Sequence, residues 1–158
     1  MNRRLLGRAG LVTVLLGLAA GARGQGRARE AAGPRHRVAL QVGVNDPALM
    51  NLALTGVEDI LAHYAAAGEG VAVDLTALGP GYAMMRADLS PVAARLRDLK
   101  GRHPAVLFSA CQRARRALAA QAGKAVSEIP QLPEARDVPV GVVHLSELQE
   151  RGWSYLRP

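Results

Sequence analysis

The sequence predicts an α/β domain: a three-layer α/β/α sandwich on a mainly parallel sheet of four to five strands. Three observations predict it. Short runs of β-forming residues at 36–44, 71–78 and 105–110 alternate with stretches whose apolar residues fall at helical spacing. The first strand, helix and second strand fit within about forty residues, the size of a βαβ unit, so the two strands should be parallel. The β and α elements alternate along the chain, which indicates a sheet layered with helices.

The chain opens on a targeting segment. Arg3, Arg4 and Arg8 form a positive region, Leu11 to Ala20 an apolar one, and Ala20-Gly21-Ala22 a small-residue cleavage site. Residues 1–22 therefore read as a signal peptide, and the protein as exported. Arg3-Arg4-Leu5-Leu6 resembles a twin-arginine signal, which would export a folded chain; Asn2, where Ser or Thr is usual, leaves the general secretory route open. The apolar run is too short for a comfortable membrane span, so no stable span is expected after cleavage. Residues 23–35 carry Gly, Arg and Ala without apolar periodicity and read as a flexible N-terminus. The remaining 36–158 is one domain of ordinary size.

His36 to Val44 places Val38, Leu40, Val42 and Val44 on one face, a first strand. Asn45-Asp46-Pro47 ends it and starts a helix, with Asp46 as N-cap and Pro47 at the first helical position. Met50, Ala53, Leu54, Val57, Leu61 and Tyr64 mark the buried face of that helix, and Gly68 and Gly70 stop it. Val71 to Leu78 is the second strand. Gly79-Pro80-Gly81 breaks the chain, Tyr82 to Ala87 suits a helical turn, and Ser90-Pro91 starts a helix buried through Val92, Leu96 and Leu99. His103-Pro104 closes it. Ala105 to Ala110 is the third strand, and a third helix runs from about Gln112 to Ala122, ended by Gly123. Lys124 to Pro139 reads as a proline-containing loop over the sheet, Val138 to Leu145 as a fourth strand, Ser146 to Glu150 as a short helix, and Trp153 to Leu156 as a terminal extended segment. Trp153, Tyr155 and Arg157 read either as a cap on the core or as a subunit contact, with core packing weighed higher for the aromatic pair, and Met84 and Met85 read as gap-filling core residues.

The formal charge of +7 invites a nucleic-acid reading, but its distribution removes it. Eight of the 20 basic residues lie between Arg3 and Arg37 against the single acid Glu30, while Val38 to Pro158 holds twelve basic and twelve acidic residues. A formally neutral domain lacks the concentrated basic face that phosphate binding needs, and one Phe, one Trp and three Tyr offer few stacking surfaces. The turn after the first strand has none of the glycines of a dinucleotide site, and no Gly-Lys-Ser or Gly-Lys-Thr occurs. His36, His63, His103 and His144 lack metal-ligand spacing, so no metal or other cofactor is expected. His36 and His103 read as strand-edge residues and His63 as a helical one. Ser109 sits inside a strand without a nucleophile elbow, which argues against a Ser-His-Asp hydrolase.

Cys111, the one cysteine, falls between a buried strand and the first turn of a helix carrying Arg113, Arg115 and Arg116. Sites in open α/β sheets usually form at the carboxyl ends of strands. Free N–H groups and positive charge at a helix start favour thiolate, the form that attacks sulfur. The alternative is a small buried residue at a junction, the commonest setting of a free cysteine.

Several segments together resemble one family. They are Met50-Asn51-Leu52-Ala53-Leu54, Gly79-Pro80-Gly81, Phe108-Ser109-Ala110-Cys111, Val140-Gly141-Val142-Val143, and the ending Leu148-Gln149-Glu150-Arg151-Gly152-Trp153-Ser154-Tyr155-Leu156-Arg157-Pro158. In order and spacing the chain resembles the exported branch of the DsrE/DsrF-like sulfur-relay proteins, over roughly His36 to Pro158. The resemblance implies a three-layer α/β/α fold, a periplasmic location, a homo- or hetero-oligomer, and a cysteine at Cys111 that accepts sulfur as a persulfide from a donor protein or molecule and passes it to an acceptor. Where exported relatives commonly carry Gly-Asn-Thr after that cysteine, this chain has Gln112, Arg113 and Ala114. Two expectations follow: a sulfur carrier or sulfurtransferase-like protein using Cys111 with Arg113 beside it, or a non-enzymatic binding or assembly module in which Cys111 is structural.

Overall fold

A computed structural model describes residues 33–158, so the leader and most of the 23–35 segment lie outside the described residues. The elements are β1 (His36–Val42), α1 (Pro47–Ala66), β2 (Val71–Ala77), a 3-10 turn (Gly79–Met85), α2 (Ala93–Arg102), β3 (Leu107–Cys111), α3 (Gln112–Gln121), a short 3-10 turn (Val126–Glu128), β4 (Ala135–Val138), α4 (Gly141–Glu150) and β5 (Ser154–Leu156). The five strands form one sheet in the order β4-β3-β2-β1-β5, and every pairing is parallel. The expected α/β sandwich is therefore the fold observed.

Strand order explains the layers. The chain steps in one direction from β1 to β4, and right-handed crossovers then put α1, α2 and α3 on one face. The return from β4 to β5 puts α4 on the other. The apolar contacts agree. Val38, Leu40, Val42, Val73, Leu75, Ala77, Phe108 and Ala110 pack with Met50, Leu54, Val57, Leu96, Leu99, Ala114 and Ala119 in the main core. The other face holds a much smaller cluster of Ala39, Leu145 and Leu148, with Leu78 and Trp153 against it.

Most local expectations hold. Asp46 caps α1 by accepting from the Ala48 and Leu49 N–H groups at 2.7 and 3.4 Å. Met84 and Met85 are buried, as are Val92, Leu96 and Leu99. Ser90 accepts from the Val92 N–H at 3.4 Å, although α2 itself begins only at Ala93. Gly81 is demanded by close approach, since a Cβ there would lie 2.3 Å from the Val42 carbonyl oxygen. Trp153 packs on the small cluster, whereas Tyr155 is exposed and its hydroxyl donates to Gln41 Oε1 at 2.8 Å.

The C-terminal third is corrected. The expected strand at Val138 to Leu145 does not form: Val138 ends β4, and α4 starts at Gly141. The apolar residues that suggested a strand are instead split by a helix, with Gly141, Leu145 and Leu148 facing inward and Val142 and Val143 exposed. The expected helix at Ser146 to Glu150 is the second half of α4. The expected loop at Lys124 to Pro139 ends in an edge strand, β4, which pairs Ser109 with Arg136 and Cys111 with Val138. His103 closes α2 as expected, but it does not edge a strand, since β3 starts at Leu107. Among the described residues no helix is long and apolar enough to cross a membrane.

Candidate functional site

β3 and β4 are neighbours, but the helices that follow them lie on opposite faces of the sheet. Chains that part in this way leave a crevice beyond the carboxyl ends of the two strands, where sites in open α/β sheets form. Cys111, the last residue of β3, stands there and also occupies the N-cap position of α3. The link from β4 to α4 crosses the crevice. It is tied to α3 by the Arg113 N–H, which donates to the Pro139 carbonyl at 3.2 Å.

α4 begins against the sulfur. The Gly141 N–H donates to Cys111 Sγ at 3.2 Å. The N-cap, Val140, offers no side-chain acceptor, so the first amides of α4 must find other partners, and sulfur takes one. Glycine permits this approach: a Cβ at 141 would lie 2.9 Å from Leu78 Cβ and 3.2 Å from Cys111 Cβ. An N–H and the positive end of a helix aimed at one sulfur complement negative charge there. Packing leaves Cys111 only 4% exposed. It nevertheless lines a cleft of about 260 Å³, together with Leu78, Arg113, Ala117, Val140 and Val142. A second cleft of about 530 Å³ shares Gly79, Ala114 and Ala117 with it and reaches Asn45, Arg86 and Leu89.

The three arginines expected around the thiol separate. Arg113 is exposed, lines the smaller cleft, and pairs with no carboxylate among the described residues. Arg115 turns to the loop, where its Nε and Nη2 donate to the Ile129 carbonyl at 2.9 and 2.7 Å. Arg116 is exposed on α3. Gln112, next to the cysteine, also faces away from it. Its Nε2 donates to Asp137 Oδ1 at 2.9 Å and Gln131 Oε1 at 3.0 Å, clamping α3 to β4. The Tyr82 hydroxyl donates to the same Gln131 oxygen at 2.8 Å. Burial pushes the Tyr82 phenol up to about 12.

A polar cluster on the α4 face was not anticipated. Asp74 of β2 is fully buried. Its Oδ1 accepts from Thr76 Oγ1 at 3.0 Å. Its Oδ2 accepts from Ser109 Oγ at 3.0 Å and Arg136 Nη2 at 2.7 Å, and lies 2.9 Å from His144 Nε2. Arg136 Nε donates to Ser109 Oγ at 3.0 Å. Ser, His and Asp thus meet after all, but not as a hydrolytic triad. Asp74 is the hub, the Ser109 hydroxyl points to it rather than to the histidine, and Ser109 is fully buried. Strand pairing explains the meeting: Thr76, Ser109 and Arg136 stand side by side across β2, β3 and β4. The period-two pattern alone marks Asp74 and Ser109 as facing away from the main core, but not what covers them. Among the described residues no three or more His, Cys, Asp or Glu side chains gather as a metal-ligand group.

The fold is similar to that of a solved protein of unknown function from Methanobacterium thermoautotrophicum, with 27% identity and a TM-score of 0.65. The likeness covers 78% of this chain and 99% of that one. No family model and no curated protein matches the chain.

Proposed function

We propose that the protein is an exported, DsrE/F-like sulfur carrier, with Cys111 as the residue that holds sulfur. One observation carries the reading: the single thiol stands at the crevice between β3 and β4, facing a cleft, with the first amide of α4 donating to its sulfur. Arg113 at the rim, which pairs with no carboxylate among the described residues, is a cation suited to an anionic donor. With thiosulfate, the Cys111 thiolate attacks the outer sulfur, the S–S bond breaks, and sulfite leaves with the bonding electron pair. The product is a cysteine persulfide, whose outer sulfur a second thiolate takes in the reverse sense. A donor or acceptor protein and a homo-oligomer belong to this proposal, as does a periplasmic location.

A second reading, a binding or assembly module with Cys111 as packing, is favoured by the 4% exposure of that residue. Mass spectrometry of the intact protein separates them. After incubation with thiosulfate or polysulfide the carrier gains about 32 Da at Cys111, and the Cys111→Ala variant does not. A thiol that stays unmodified and also resists alkylation under native conditions overturns the carrier reading.

A further inference from the structure

Among the described residues α4 is the single helix on its face of the sheet, and its apolar anchor is slight. Leu145 and Leu148 rest on Ala39, Leu78 and Trp153, and of these Leu78 also packs against Gly141 at the first turn. A polar anchor joins that apolar contact beside the cysteine. His144 is three residues after Gly141, one turn further along the helix, or about 4.5 Å along its axis. It binds Asp74 Oδ2, to which Arg136 also donates from β4. A buried ion pair adds little stability beyond what apolar packing would give, and what it adds is a defined position. Here the position is that of the turn whose first amide meets the Sγ of Cys111, a residue that packing leaves 4% exposed.

We propose that Asp74 is a positioning residue: by holding His144 and Arg136 it seats the first turn of α4, and that seat sets access to the Cys111 sulfur. The role in sulfur transfer rests on the carrier reading above, whereas the control of access does not. Asp74 touches no reacting atom. It acts through α4, across a path of Asp74, His144 and Gly141 that ends on the thiol. Loosening the path opens the α4 end locally and leaves the main core on the other face in place.

The test is alkylation of Cys111 by iodoacetamide in the full chain, followed by intact mass without any sulfur donor, at several urea concentrations below the unfolding transition. Asp74→Asn and His144→Ala are each expected to alkylate at least about tenfold faster than the parent protein, the factor that loss of one charge-assisted partner commonly produces. The faster rate should depend weakly on urea, because a local opening exposes little surface. A merely structural role would raise the rate only with the steep urea dependence of global unfolding. Glu58→Gln serves as the control. It removes a carboxylate that binds Arg95 and Arg102 between α1 and α2, and its rate should stay within about twofold of the parent. If Asp74→Asn does not fold, His144→Ala decides. A rate for His144→Ala within about twofold of the parent overturns the proposal, as does a rise that follows global unfolding or is matched by Glu58→Gln. With the thiosulfate assay above run on the same variants, faster alkylation without the gain of about 32 Da keeps the seat and sinks the carrier reading. Sulfur gain with unchanged alkylation does the reverse.

Discussion

Gly141→Ala tests the contact between α4 and the thiol most directly, because two effects of opposite sign compete at one atom. The added methyl would sit 2.9 Å from Leu78 Cβ and 3.2 Å from Cys111 Cβ. Carbon atoms settle about 3.5–4.0 Å apart, so relief requires a shift of roughly 0.6–1.1 Å. Neither neighbour is the tip of a flexible side chain. Leu78 follows directly on β2 and Cys111 ends β3, so α4 has to move. Overpacking of this kind costs about 1–3 kcal/mol. Against it stands the lower helix propensity of glycine, worth at most about 1 kcal/mol and less at a first helical position. The clash should win, with a net destabilisation of about 1–2 kcal/mol in urea denaturation. The Gly141 N–H should also leave Cys111 Sγ, so alkylation of the thiol should accelerate. A variant as stable as the parent, with unchanged thiol reactivity, would refute the reasoning, because it would mean that the α4 terminus does not press on Cys111.

Further outcomes are expected from the same structure. Gly81→Ala sets a Cβ 2.3 Å from the Val42 carbonyl oxygen, which also accepts from the Leu78 N–H at 3.0 Å, and should cost about 3 kcal/mol or more. Gly101→Ala, in α2 with nothing within 4 Å, should instead gain up to about 1 kcal/mol, and equal denaturation midpoints for the two would contradict the packing described. In an ultraviolet absorbance titration, Tyr82 should ionise only near pH 12, and Tyr82→Phe should remove that late step. Since the unfolded phenol ionises near its ordinary value of 10, the Tyr82 contribution to stability is complete below pH 10 and is lost as pH rises through about 12.

What the chain alone made legible follows local rules. The opening βαβ unit, the Asp46 cap, the Gly79-Pro80-Gly81 break and the place of Cys111 at a strand-helix junction all lie within one or two turns of the residues that specify them. Period two and period 3.6 are local signals, and the α/β fold class follows from their alternation. The C-terminal third obeys other rules. A short apolar run bounded by Pro139 suits a buried strand or a buried helix equally well by pattern. α4 also lacks the Ser, Thr, Asp or Asn cap that would announce a start, because the acceptor for its first amide is Cys111 Sγ, thirty residues earlier in the chain. β4, read as Ala-Arg-Asp-Val, carries no alternation of apolar residues and is a strand because β3 offers it an open edge.

The polar cluster is likewise a product of register. Asp74, Ser109, Arg136 and His144 are separated by as many as 70 positions, and they converge only when parallel pairing aligns three strands under one helix. The sequence by itself therefore determined the class of fold and the position of the thiol in it, since both rest on local periodicity. Tertiary structure decided what faces that thiol, the Gly141 amide and an α4 seated by Asp74, because those neighbours are set by strand order and by which face each crossover takes.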